Sequence, residues 1–350
     1  LSRKLKPEPK LSVAKRQPPK WQHERNLTLI VWIVIPLTIV LALGLVGYWG
    51  YNNYVAVWHQ PIAEINKTVL GNETGNQTIL GNETIVRMDY YVKMLRFYSL
   101  VSGNQSNTAS IPYQTLSQIE NDELTRRAAS NVGILVTSGN ITQEIDSSIR
   151  SSAGGNITEA QLNEIYKGWL DRVRLSEAEY RQVVEANLLR EKLREYCKEQ
   201  KVPTQTKQVH LYAILVDNEG NATEVLNRLQ NGEDFATLAQ ELSTDETSKV
   251  YGGDLGWLPR GILSYLIDPQ LDQYAFSLEV GNVSEPIKTT RGYYVIKISE
   301  IGENRPVDDQ YREILAASEL VKWLNELMVA SNIKDYLDQD KIDWAMARIK

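Results

Sequence analysis

Few side chains in this sequence are of a type and spacing to make or break bonds. His23, His59 and His210 lie far apart, with no metal-ligand spacing. Cys197 is the one cysteine, so an internal disulfide framework is excluded, and on its helix it reads as a packed thiol, not a nucleophile. No metal and no redox cofactor is expected. The 44 Asp and Glu leave many carboxylates, none marked out by spacing alone; one, Asp245 in Ser243-Thr244-Asp245, comes shortly before the distinctive run Gly252-Gly253-Asp254-Leu255-Gly256-Trp257. Taken alone, Asp245 fits either a helix cap after Leu242-Ser243 or the acid of a site. Gly252, Gly253 and Gly256 read as loop geometry rather than ligand contacts.

The elements that must position Asp245 run from Val209 to Glu300. Val209 to Val216 is a β-type run, ended by the polar turn Asp217-Asn218-Glu219-Gly220. Val225, Leu226 and Leu229, then Phe235, Leu238 and Ala239, recur at helical spacing around a break at Asn231-Gly232. After the glycine-rich run come Ala275-Phe276-Ser277-Leu278 and a turn at Gly281-Asn282. Thr289 to Lys297 reads as a final hairpin. In this order, and in the phrases GEDFATLAQELSTD, GGDLGW, AFSLEVGNVSEPIKT and GYYVIK, the stretch resembles the parvulin (PpiC-type) peptidyl-prolyl cis-trans isomerases.

That resemblance implies an α+β domain over residues 205–303, an antiparallel sheet with surrounding helices. It also implies a reaction that makes no covalent bond. Rotation about an X–Pro amide meets a barrier of about 18–20 kcal/mol, and uncatalysed it takes tens to hundreds of seconds. Catalysis must favour the twisted amide over both planar isomers. Carried over position by position, the family pattern places its central acid at Asp245. The apolar proline pocket falls on Leu255, Leu263, Leu271 and Phe276, with Leu271 standing where an aromatic is commoner. Thr289 matches the polar residue ahead of the last hairpin. The family's two histidines are missing, replaced by Ala213 and Tyr294. Tyr294 is either a substitute whose hydroxyl donates or accepts near Asp245, or a packed strand aromatic. His210 lies three positions before Ala213, an odd offset that points to the opposite face unless a bulge intervenes.

Around this domain, charge is unevenly spread. Residues 1–25 carry eight Lys or Arg and two Glu, a net +6, which leaves −12 for the remainder. The main body therefore lacks a basic patch, and no nucleic-acid partner is expected. Residues 1–25 read as a disordered cytoplasmic tail. From Asn26 to Ala63 there is no Asp, Glu, Lys or Arg, and Leu27–Trp49 is apolar and long enough to span a bilayer. The basic flank predicts a cytoplasmic N-terminus, a single pass through the cell membrane and an extracytoplasmic body. The long apolar stretch and the lack of a clear A-x-A site favour an uncut anchor (26–49) over a cleaved signal peptide.

Residues 50–204 read as a helical domain. The near-repeat Leu70-Gly71-Asn72-Glu73-Thr74 and Leu80-Gly81-Asn82-Glu83-Thr84 is expected to be polar loop. Nine Asn-x-Ser/Thr triplets lie between Asn66 and Asn282, which matter only in a cell that glycosylates them. Leu162, Ile165, Tyr166, Trp169 and Leu170 form an apolar stripe, preceded by capping-box spacing at Thr158 and Gln161. Ser176 and Glu179 repeat that spacing before Tyr180, Val183, Val184, Leu188 and Leu193. With IENDELTRRAASNVGILVT and LSEAEYRQVVEANLLREKLREY, this segment resembles the N-terminal region of SurA-like and PrsA-like extracytoplasmic chaperones. In those proteins a C-terminal helix returns to the helical domain. Leu320, Trp323, Leu324, Leu327 and Met328 supply such a stripe within residues 304–350. The function implied is a membrane-anchored foldase acting on unfolded or nascent exported chains with X–Pro bonds. The alternative is a non-catalytic holdase built on a degenerate parvulin domain.

Overall fold

The computed structural model describes residues 35–71, 77–103 and 109–349. Among these, the residues up to Pro61 with Arg87–Asp89 form one compact unit, and Ile62–Val86 with the chain from Tyr90 onward form a second. In the first, helix α1 (Ile35–Gly50) carries no charged residue, and Leu37, Val40, Leu41 and Leu45 are all exposed on it. A π-helical turn (Tyr51–Val55) and a 3-10 turn (Ala56–His59) follow. Among the described residues no helix is long and apolar enough to cross a membrane. The basic tail 1–25 and residues 26–34 of the expected anchor lie outside the described residues.

The second unit opens with strands β1 (Pro61–Ile65), β2 (Thr68–Gly71), β3 (Gln77–Leu80) and β4 (Thr84–Arg87). The expected polar loop is met only in part: β2 and β3 take in Leu70, Gly71 and Leu80 and pair antiparallel from Thr68↔Leu80 to Gly71↔Gln77, residues 81–83 form a loop, and residues 72–74 lie outside the described residues. Buried Thr68 and Leu80 anchor the hairpin, and its β-type residues Val69, Leu70 and Ile79 outweigh the polar ones between them. Helices α2 (Met88–Val101), α3 (Ile111–Asn131), α4 (Ser138–Ser152), α5 (Glu159–Val173) and α6 (Glu177–Gln200) follow. Both expected capping boxes form: Thr158 with Gln161 and Ser176 with Glu179 exchange side-chain and backbone hydrogen bonds. The α5 stripe is only partly covered, since Leu162 is buried but Ile165 is exposed. Its aromatic members Tyr166 and Trp169 pack around Tyr180.

Arg127 on α3 is a buried hub. Its guanidinium donates to the carbonyls of Asn66, Ile65 and Asn82 and pairs with Glu123 at 3.0 Å. Those carbonyls lie in the turns between strands, so one side chain fastens both turns to the helix. On the same helix, buried Glu120 feels the carboxylate of Asp335 on β9 (Lys334–Asp335), the strand that joins β1 in the order β4-β1-β9.

Helix α12 (Asp309–Ala330) packs Leu320, Trp323, Leu324 and Leu327 against Leu124 and Ala128 of α3 and Leu189, Leu193 and Cys197 of α6. Cys197 is thus a core atom, and burial pushes its thiol pKa up. At the edge of this core, Lys198 reaches Glu313 at 2.6 Å and Asp309 at 2.9 Å. Helix α13 (Gln339–Ile349) follows, burying Ile342 and Ala345.

The central sheet has the order β6-β5-β8-β7, built from β5 (Gln205–Val216), β6 (Asp254–Pro259), β7 (Ile287–Thr289) and β8 (Gly292–Pro306). All pairings are antiparallel. β8 runs as strand to Pro306, beyond the expected return to helix after Glu300. Side chains alternate across β5. Ile214 and Val216 face α7 (Glu219–Gln230) and α8 (Phe235–Leu242), packing on Val225, Phe235 and Leu238. Val209, Leu211, Ala213 and Leu215 face the other way, toward α10 (Ile262–Leu266) and α11 (Pro269–Ala275).

Candidate active site

The end of β5 delivers the central acid. Thr244 N donates to Leu215 O at 2.7 Å, and Ser243 Oγ accepts from Leu215 N and Asp245 N. Asp245 therefore emerges beside the strand position whose cross-strand partner is Tyr294. It stands at the start of the short helix α9 (Glu246–Lys249), yet its carboxylate caps no backbone amide of that helix. Oδ2 instead accepts from Ser248 Oγ at 2.7 Å, and Oδ1 lies 3.8 Å from Arg291 Nη2. The Asp245 side chain is 16% exposed and the Arg291 side chain 48%, so the guanidinium is the outer partner.

Tyr294 and Ala213 share the face of the sheet that carries the pocket residues. One cluster holds Ala213, Leu215, Leu263, Leu271, Tyr294 and Ile296, with Leu255 and Phe276 packed at its margin. Leu263, Leu271 and Ala213 are buried in this cluster, and Leu255 and Phe276 are half-buried at its edge. The Arg260 guanidinium sits 4.4 Å from the centre of the Phe276 ring. Tyr294 is only 1% exposed, and its hydroxyl has no hydrogen-bond partner among the described residues. Burial pushes its pKa above the usual tyrosine value; Arg291 pulls it down and Asp245 pushes it up, which places both charges within electrostatic reach.

Thr289 sits at the end of β7, at the turn into β8. Its hydroxyl donates to Gly292 O at 3.0 Å and accepts from Arg291 N at 3.2 Å, closing the β7–β8 turn. Its side chain thereby presents Arg291 to Asp245. Gly292 has φ +134°, and an added Cβ would stand 2.5 Å from Val216 O, so only glycine fits that turn. Gly253 is constrained likewise: Ala213 N donates to its carbonyl at 2.9 Å, and a Cβ there would meet Ala213 O at 2.5 Å.

His210 does lie on the opposite face from Ala213, beside Tyr212. Bulges are present at this level, but they fall on the neighbouring strands and leave the alternation along β5 intact. Arg291 and Arg260 were not singled out from the sequence. The signal for Arg291 was its place in the two-residue turn of the last hairpin, next to the position assigned to Tyr294.

The arrangement can hold an apolar ring against Leu255 and Phe276 and set a hydroxyl and an Arg–carboxylate pair beside it. Comparisons with known proteins identify the domains. Residues 215–300 match the family model of the PPIC-type PPIASE domain, and residues 22–194 match that of the SurA-like N-terminal domain. The foldase protein PrsA of Geobacillus sp. is 32% identical over 196 residues, covering 52% of this chain and 67% of that protein. PrsA of Oceanobacillus iheyensis is 27% identical over 223 residues, covering 61% of this chain and 72% of that protein. A crystal structure of the peptidylprolyl isomerase PrsA from Bacillus anthracis aligns over 62% of this chain and 96% of its own at 23% identity, with a TM-score of 0.44. With its PPIC-type isomerase domain and its SurA-like domain, the chain belongs to the PrsA family of foldases.

Proposed function

We propose that this protein is a membrane-anchored foldase that isomerises X–Pro bonds in unfolded exported chains, with Asp245 and Tyr294 at the reacting amide. The observation that carries the reading is the Tyr294 hydroxyl, buried without a partner beside Asp245 and Arg291. A buried unsatisfied hydroxyl costs about 1–3 kcal/mol, and a substrate hydrogen bond would remove that cost. Twisting the amide returns the lone pair to the prolyl nitrogen. A donor aimed there favours the twisted form over both planar isomers. The Tyr294 hydroxyl can donate without ionising, and the Arg291–Asp245 pair fixes the surrounding field. Leu255 and Phe276 grip the ring over the floor of Leu263, Leu271 and Ala213. No proton is transferred, so the loss of two histidines does not remove a chemical step.

Anchoring through residues 27–49 is supported by α1, which is uncharged and exposes apolar side chains on every side, as a helix does when lipid is its solvent. The +6 flank at 1–25 supports a cytoplasmic N-terminus, with the two folded domains outside the cell membrane. The helical domain would hold the client while its prolines are turned over.

A second reading, a holdase without turnover, draws on the packed floor of the slot and on Ala213 and Tyr294 standing where the family has histidine. Isomerisation of an X–Pro peptide by the full chain separates the two. Acceleration that saturates with peptide supports the foldase. Suppressed client aggregation without acceleration leaves the holdase, and neither effect refutes both.

A further inference from the structure

On the far face of the sheet a polar contact reaches the slot through the backbone. A bulge flanks β5 on each side. Toward β8, His210 pairs with Glu300 and Leu211 with Ile298, so Ser299 is the extra residue. Toward β6, Leu211 pairs with Gly256 and Tyr212 with Asp254, so Leu255 is the extra residue. Bulges re-aim side chains, and the second turns Leu255 onto the slot cluster. The His210 imidazole spans both: Nδ1 lies 2.7 Å from Ser299 Oγ and Nε2 lies 3.4 Å from Asp254 Oδ1. That same Asp254 oxygen accepts from Gly256 N at 2.7 Å, bracketing the bulged residue. Tyr212 and Trp257 wall the imidazole, each ring centre 5.3 Å away.

We infer that His210 is a positioning residue for the isomerase site: from the opposite face of the sheet it fixes the Leu255 bulge through Asp254, and so sets the rim that holds the proline ring. The inference rests on the isomerase reading for its consequence and on the two bulges for its geometry. Gly256 N still holds the Asp254 carboxylate when His210 is gone, so removing His210 loosens the bulge and does not abolish it.

The test uses the full chain with His210→Ala, His210→Gln, Leu255→Ala and the His210→Ala/Leu255→Ala double variant. In X–Pro peptide isomerisation, His210→Ala is expected to raise KM roughly threefold or more with little change in kcat, the mark of lost uniform binding. His210→Gln, whose amide can still reach Ser299 and Asp254, recovers most of that loss. In the Leu255→Ala background, His210→Ala adds nothing, because the effect travels through that side chain. An unchanged KM in folded His210→Ala, or effects that multiply in the double variant, overturns the inference. Amide hydrogen exchange at Gly256 tests it without activity. His210→Ala should speed exchange there about tenfold, and unchanged exchange overturns the inference even in an active enzyme. Faster exchange in a chain with no catalysis means that the isomerase reading fails while the His210 clamp on the bulge stands.

Discussion

Arg291 and Asp245 meet at the lip of the slot with 3.8 Å between guanidinium and carboxylate, brought together by two elements distant in sequence. Asp245 is tethered to the end of β5 by Ser243 and Thr244. Arg291 is held out by a turn that Thr289 closes. The pair is half exposed, so its worth to stability is small, yet its field falls on the buried Tyr294 hydroxyl.

Arg291→Ala should therefore separate stability from activity. The expected loss of stability is below about 1 kcal/mol, the usual limit for an exposed pair. The loss in kcat/KM is expected to be on the order of tenfold, short of that from deleting a direct donor. Denaturant unfolding and peptide isomerisation on one preparation give both numbers, and equal proportional losses would count against a role in the site.

Tyr294→Phe should push stability and activity in opposite directions. Removing a buried unpartnered hydroxyl is expected to gain about 1 kcal/mol, while kcat/KM falls by roughly a hundredfold. Because burial holds the Tyr294 pKa above the usual value of 10.0, the hydroxyl stays protonated as pH rises to that value. Catalysis should persist there, wherever the fold does. A gain in stability with unchanged turnover would make Tyr294 a packed aromatic only.

Glu120 gives a pH dependence that originates away from the slot. Burial and the Asp335 carboxylate raise its pKa from 4.5 to about 8. The folded state thus holds a proton between those values that the unfolded state has released, so Glu120's contribution to stability is full below about pH 4.5 and is lost as pH rises to about 8. Glu120→Gln removes this titration. Its advantage over the parent chain in urea unfolding should grow across that interval and level off above it, and a constant difference would contradict the shared proton.

Arg127→Ala is expected to cost about 3 kcal/mol or more, because it strands the carbonyls of Ile65, Asn66 and Asn82 and takes from Glu123 its close ion pair, leaving it Thr84 and the more distant Arg126. Thermal unfolding measures this directly. A loss below about 1 kcal/mol would show that water replaces the hub.

Local rules made much of the architecture legible. The capping boxes at Thr158 and Ser176, the apolar stripe on α12 and the alternation along β5 each depend on residues a few positions apart. The strands β2 and β3 are not legible because each is four residues long, between turn-forming residues that dominate the composition. Within the site, the shared face of Ala213, Leu215 and Tyr294 follows from strand parity. The Arg291–Asp245 pair does not, since it joins two turns with no common periodicity. Nor does the His210 contact with Asp254, which exists because extra residues sit on both neighbouring strands. Bulges shift register without a mark in the residue types.

Proline-limited refolding of a client protein, followed with the full chain and with Asp245→Ala, bears on the central claim most directly. The account predicts a faster slow phase that scales with enzyme concentration and drops sharply in the variant while client binding is retained. A slow phase no faster than with an unrelated protein, or the same acceleration from Asp245→Ala, would contradict it.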